Sequence, residues 1–136
     1  MNLTMFQVDA FANRVFAGNP AAVIILDDWI DDQKMLAIAQ ENNLAETAFA
    51  KPQAVGFDLR WFTPVHEVDF CGHATLATAH VLFAHYSATD DLTFQTRVGR
   101  LNVRRNPHGY ALDLPAFPPD TLGADDPNLA KLLACQ

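Results

Sequence analysis

The chain has 136 residues, a formal net charge of -7 and a pI near 4.9; half of its residues are hydrophobic and 18% are charged. A chain this long buries roughly two thirds of its unfolded surface as one domain, and the composition is globular rather than disordered. The acidity argues against nucleic acid as a partner, because the one adjacent basic pair, Arg104 and Arg105, has no basic stripe around it.

Residues 2–11 read as a strand with Phe6 and Val8 on one face, followed by a loop, NRVFAGNP, dense in turn formers. PAAVIIL, 20–26, is a short apolar run suited to a strand buried on both faces. Asp31 or Asp32 caps a helix to about Asn43, with Met35, Leu36, Ile38 and Ala39 on its apolar side and Trp29 or Ile30 as a staple. ETAFA, 46–50, is a short strand, and FDLRWF, 57–62, alternates Phe57, Leu59 and Trp61 on one face before Thr63-Pro64 ends it.

A second helix is expected from Gly72 to Tyr86, apolar nearly all the way round and therefore central and enclosed. LTFQT, RLNVRR and YALDLP then alternate as an antiparallel meander, with turns at Val98-Gly99 and Asn106-Pro107-His108-Gly109. The expected architecture is α+β, with strands wrapped about one buried helix. One half-domain is expected over 1–115. Residues 116–136, with prolines and then a short helix start, read as a linker into an unfinished second unit.

Cys71 and Cys135 have no paired spacing, which suits a reducing compartment. The N-terminal MNLTMFQVDAF lacks the basic head and apolar run of a signal peptide. No apolar stretch is long enough for a transmembrane helix. The expectation is a soluble cytoplasmic protein without membrane contact.

Three short stretches carry chemistry. In DFCGHATLATAH the helix starts at Cys71-Gly72-His73. Its unpaired N–H groups and dipole attract a carboxylate or phosphate. Gly72 allows close approach, and Ala74 and Thr75 complete the first turn, with His73 placed to hold or protonate an anion. The plainer alternative is that Asp69 or Thr75 satisfies the helix end and His73 only packs. In NNLAETAF, Glu46 enters a strand among apolar neighbours, a setting suited to general acid or base work near neutral pH, or is simply an exposed strand-end residue. Gly18 and Asn19 of GNP form a turn whose amide is free for a ligand, or a turn and nothing more. No metal site is expected, since His73 and His80 lie two helical turns apart without converging ligands. His85, near the helix end, suits the dipole.

In combination, VDAFANRVFAGNPAAVIIL, NNLAETAF and RWFTPVHEVDFCGHATLATAHVL resemble the N-terminal half of the PhzF-type phenazine-biosynthesis isomerase family, from about residue 6 to 115. The resemblance implies a diaminopimelate-epimerase-like fold: two pseudo-symmetric halves, each a mixed, mostly antiparallel sheet curled round a central helix (72–86 here), with the site in the cleft between. It implies no metal or organic cofactor. Glu46 corresponds to the family's proton-transferring glutamate and His73 to the histidine that binds substrate and guides the proton. Gly18, Asn19, Cys71, Gly72, Ala74 and Thr75 line the cleft. The substrate is expected to be a small carboxylate whose double bond migrates.

Two departures qualify that expectation. Cys71 stands where the phenazine enzyme has a small non-thiol residue and where related racemases and epimerases carry a catalytic thiol. At a helix N-terminus its pKa is expected to be lowered, so Cys71 is an alternative base. The family's second half has no counterpart in this sequence. The chain is then expected to be a fragment, a homodimer that rebuilds the cleft, or a non-catalytic binding or dimerising half.

Overall fold

The computed structural model describes residues 2–86, 89–114 and 116. In chain order the elements are β1 (Met5–Ala10), β2 (Asn19–Ile25), α1 (Asp32–Asn42), β3 (Glu46–Pro52), β4 (Phe57–Phe62), β5 (Glu67–Val68), α2 (Gly72–His85), β6 (Asp91–Thr96), β7 (Gly99–Asn106) and β8 (Gly109–Asp113). The expected linker at 116–136 and Cys135 lie, apart from Ala116, outside the described residues.

One sheet runs β1-β2-β3-β4-β6-β7-β8, with β5 paired to β4. It is mixed and mostly antiparallel: β2 pairs β3 in parallel, β4 pairs β6 in parallel, and the remaining pairs are antiparallel. The sheet curls round α2, which gives the α+β half expected from the sequence.

Side-chain alternation sorts each strand between two cores. Ala21, Val23, Ala48, Ala50, Leu59 and Trp61 point inward and pack with Ala74, Ala77, Val81 and Leu82 of α2. Ile24, Phe49 and Phe62 point outward and meet Met35 and Ala39 of α1, with Trp29 and Ile30 packed alongside. This explains the uninterrupted apolar run in β2, which has a helix on each face. α2 is enclosed except along a stripe that includes His80, Ala84 and His85. His80 meets the Tyr110 hydroxyl at 2.8 Å, and His85 stacks on Phe6.

Element ends follow local chemistry. The Asp31 carboxylate accepts from the Gln33 and Lys34 N–H groups, and Asn43 closes α1 in the left-handed region at φ 50°. After β4, the Thr63 hydroxyl accepts from the Val65 and His66 N–H groups, turning the chain into β5. Two residues of strand were too short for periodicity to reveal. No helix among the described residues is long and apolar enough to cross a membrane.

Candidate active site

Because β2 and β3 are parallel, both begin at one end of the sheet. Their register pairs Ala21 with Glu46 and puts Asn19 at the same end. Glu46 shares its strand face with Ala48 and Ala50, so its side chain points inward to the start of α2. Thr47 points the other way and accepts a hydrogen bond from the Asn42 amide at 3.1 Å. The Asn42–Thr47 bond ties the end of α1 to the residue next to Glu46, a link that NNLAET contains but does not announce.

The start of α2 is fixed from the opposite side. The Arg60 guanidinium donates to both carboxylate oxygens of Glu67, each at 2.7 Å, and to Asp32 at 2.9 Å. Arg97 donates to Glu67 at 2.6 Å. The Arg60 hydrogen bond holds the Asp32 carboxyl below its usual range, and the bond to Glu67 is the main reason the Arg60 pKa is raised. This network anchors β5 four residues before α2 starts.

Between these anchors three side chains meet. His73 Nε2 lies 3.1 Å from Glu46 Oε2, and His73 Nδ1 lies 3.3 Å from Cys71 Sγ. The Nε2–Oε2 pair is close but not aligned as a hydrogen bond, so both buried atoms lack a hydrogen-bond partner.

The plainer alternative, an α2 start closed by a side chain, is not what the structure shows. Cys71 occupies the N-cap position and no side chain makes a capping hydrogen bond there. Thr75 donates its hydroxyl to the Cys71 carbonyl at 2.6 Å, and Asp69 instead faces Arg97 at 3.5 Å. Neither alternative for satisfying the helix N–H groups holds. Ala74 and Thr75 are fully buried, so they can face a ligand only through their backbone. A Cβ at Gly72 would meet only the Phe70 ring, in ordinary contact at 3.8 Å, so packing does not demand glycine at this turn. At Gly18 a Cβ would fall 2.5 Å from the Ala10 carbonyl oxygen, so glycine is needed there for packing. Asn19 is exposed and makes none of the contacts that join Glu46, His73 and Cys71.

The expectation of a lowered Cys71 pKa is corrected. Burial, aided by the charge of Glu46 and by its carboxylate as a nearby acceptor, pushes the thiol up from its ordinary 9.0 to about 11, although the Ala74 and His73 backbone N–H groups pull the other way. The helix terminus is outweighed because Cys71 is only 8% exposed. His80 stays apart, on the stripe facing Tyr110. The one cluster of metal-type donors among the described residues is Glu46, Cys71 and His73, whose donor atoms lie within 4.8 Å of one another. A soft cation there would displace the thiol proton on binding. With no cation, the same three side chains are placed to hold and pass protons.

A profile of the phenazine biosynthesis-like protein family, PhzC-PhzF, matches residues 8–131. An uncharacterized isomerase of Pseudomonas aeruginosa is 53% identical over 133 residues, covering 97% of this chain and 51% of that protein. A human phenazine biosynthesis-like domain-containing protein is 47% identical over 127 residues, covering 87% of this chain and 44% of its own length. The chain thus spans about half the length of the curated relatives it matches. Among solved structures, a PhzF-family protein of Enterococcus faecalis superposes with a TM-score of 0.84 at 46% identity, over 96% of this chain and 50% of that one. A hydroxyproline epimerase of Agrobacterium vitis shares the fold at a TM-score of 0.55 and 8% identity, over 81% of this chain and 40% of that one. The conjunction of Glu46 at the head of an inward-facing strand with His73 at an uncapped helix start therefore sits in a member of the phenazine biosynthesis-like family.

Proposed function

We propose that the chain supplies the acid/base half of an isomerase site that moves a proton on a small carboxylate-bearing substrate. The observation that carries this reading is the Glu46–His73 pair: two buried polar atoms 3.1 Å apart, neither hydrogen-bonded, beside a helix start with no cap. Glu46 takes a proton from a substrate carbon and returns it to another, so the double bond migrates and no cofactor is consumed. His73 hydrogen-bonds the substrate beside that carboxylate. The positive end of α2 steadies the charge that develops when the carbon loses its proton.

A partner surface closes the cleft over this pair. Phe11, Val15 and Phe16, exposed by 76%, 76% and 95%, stand in the loop joining β1 to β2. That loop enters β2 at the end of the sheet where Glu46 lies. Such an apolar cluster favours association. The partner is the remaining length of a relative-sized polypeptide, or a second copy of this chain where the polypeptide has only the 136 residues.

The second reading, a racemase with Cys71 as base, is disfavoured because the thiol keeps its proton up to about pH 11. The deciding experiment follows deuterium uptake from D2O into a panel of small unsaturated carboxylic acids by proton NMR. Glu46→Gln is expected to lower uptake at least ~100-fold, the usual scale of a lost general acid or base. Cys71→Ala is expected to lower it no more than about fivefold, the worth of one neutral hydrogen bond. Full loss in Cys71→Ala with retention in Glu46→Gln would reverse the assignment. No uptake into any acid by the wild type would leave a binding half only.

A further inference from the structure

The Cys71 thiol has no place in that proton transfer, yet it sits 3.3 Å from one nitrogen of the imidazole that does. We propose that Cys71 is a positioning residue: its S–H donates to Nδ1 of His73 and so fixes the tautomer with the proton on Nε2, the nitrogen beside Glu46. In a neutral histidine, the hydrogen bond made at one nitrogen decides which nitrogen carries the proton.

Two features of the site select this direction. With the proton on Nδ1 instead, Nε2 would present a lone pair 3.1 Å from the Glu46 Oε2 lone pairs, two acceptors facing each other in a buried place. With the proton on Nε2, a donor edge faces the carboxylate and any anionic substrate group beside it. The sulfur, for its part, retains its proton at neutral pH. It has a hydrogen of its own to give, and of the two acceptors near it, the Glu46 carboxylate and His73 Nδ1, the contact with hydrogen-bond geometry is the one to Nδ1. Burial, which disqualifies Cys71 as a base, qualifies it as a fixed donor.

The inference rests on His73 and Glu46 being the reacting pair, but its test needs no turnover. Two-bond proton–nitrogen correlation spectra of the whole protein, labelled with 15N-histidine, report the tautomer of His73 directly. At pH 7.5 the wild type should show the Nε2–H pattern. Cys71→Ser should keep it, because a hydroxyl also donates. Cys71→Ala should show a mixture of tautomers. In the deuterium assay, Cys71→Ala should lower kcat about fivefold, the worth of one neutral hydrogen bond, with KM little changed and Cys71→Ser restoring the rate.

An Nδ1–H ring or an imidazolium in the wild type would overturn the proposal, as would an unaltered Nε2–H pattern in Cys71→Ala. Should that variant not fold, Cys71→Ser decides: loss of the Nε2–H pattern there also overturns it. Cys71-dependent tautomer selection together with exchange that survives Glu46→Gln would sink the assigned reaction and leave the positioning of His73 standing.

Discussion

The two helices begin in opposite ways. α1 starts under Asp31, whose carboxylate takes the Gln33 and Lys34 N–H groups at 2.9 and 3.3 Å. α2 starts at Cys71 with no capping hydrogen bond. An uncapped start forgoes about 1 kcal/mol, and the helix that does so is the one wrapped by the sheet. Packing can hold α2 without a cap, whereas α1, which buries only Met35 and Ala39, leans on its ends. The contrast separates a terminus closed by its own side chain from one held by enclosure.

The largest break in that comparison should come from removing packing under α2. Leu82 is completely buried in the inner core. Leu82→Ala leaves a cavity between α2 and the sheet and should destabilise the protein by about 2–5 kcal/mol in urea unfolding. A loss under 1 kcal/mol would mean that α2 is held by something other than its enclosure, and the explanation for its missing cap would fail with it.

Much of this division was legible in the sequence. The all-round apolarity between Gly72 and Tyr86 announced the enclosed helix, and the pair Asp31-Asp32 announced the cap of α1, which Asp31 supplies. β4 matched its expected span of 57–62 because Phe57, Leu59 and Trp61 alternate cleanly and a proline follows. Other features depended on three-dimensional neighbours. The parallel pairing of β2 with β3 has no local signal, and it is what carries Glu46 to the start of α2. Arg60 looked like one polar residue in an alternating strand, but it joins Glu67 to Asp32, 28 residues away in sequence. The direction of the Cys71 shift was misread because a helix N-terminus is visible in sequence, whereas burial of the thiol in the core and its closeness to Glu46 are not.

The intermediate effect concerns that thiol. An unfolded cysteine loses its proton near pH 9.0, whereas folded Cys71 keeps it to about 11. Between those values the unfolded state binds fewer protons than the folded state, so stability falls as pH rises from 9 to 11 and is fully present below 9. Allowing for partial solvent screening, the loss should be on the order of 1–2 kcal/mol. Urea midpoints measured from pH 8 to 11 should therefore fall more steeply for the wild type than for Cys71→Ala. Parallel curves would show that the site does not hold the thiol neutral.

The smallest effect should be at the other helix. Asp31→Ala removes the acceptor for two backbone N–H groups at an exposed end. The expected cost is about 1 kcal/mol, seen as a lower Tm. Deuterium uptake should not change, because the Asp31 carboxylate takes part in neither tie between α1 and the site, the Asn42–Thr47 bond and the Asp32–Arg60 bridge. If uptake fell along with Tm, the two helix starts would not be independent, and the Arg60 bridge from Asp32 to Glu67 would be the path between them. Asp32→Asn would then separate the two effects: it weakens that bridge and leaves the Asp31 cap in place, so a matching fall in uptake would locate the coupling in the bridge rather than in the cap.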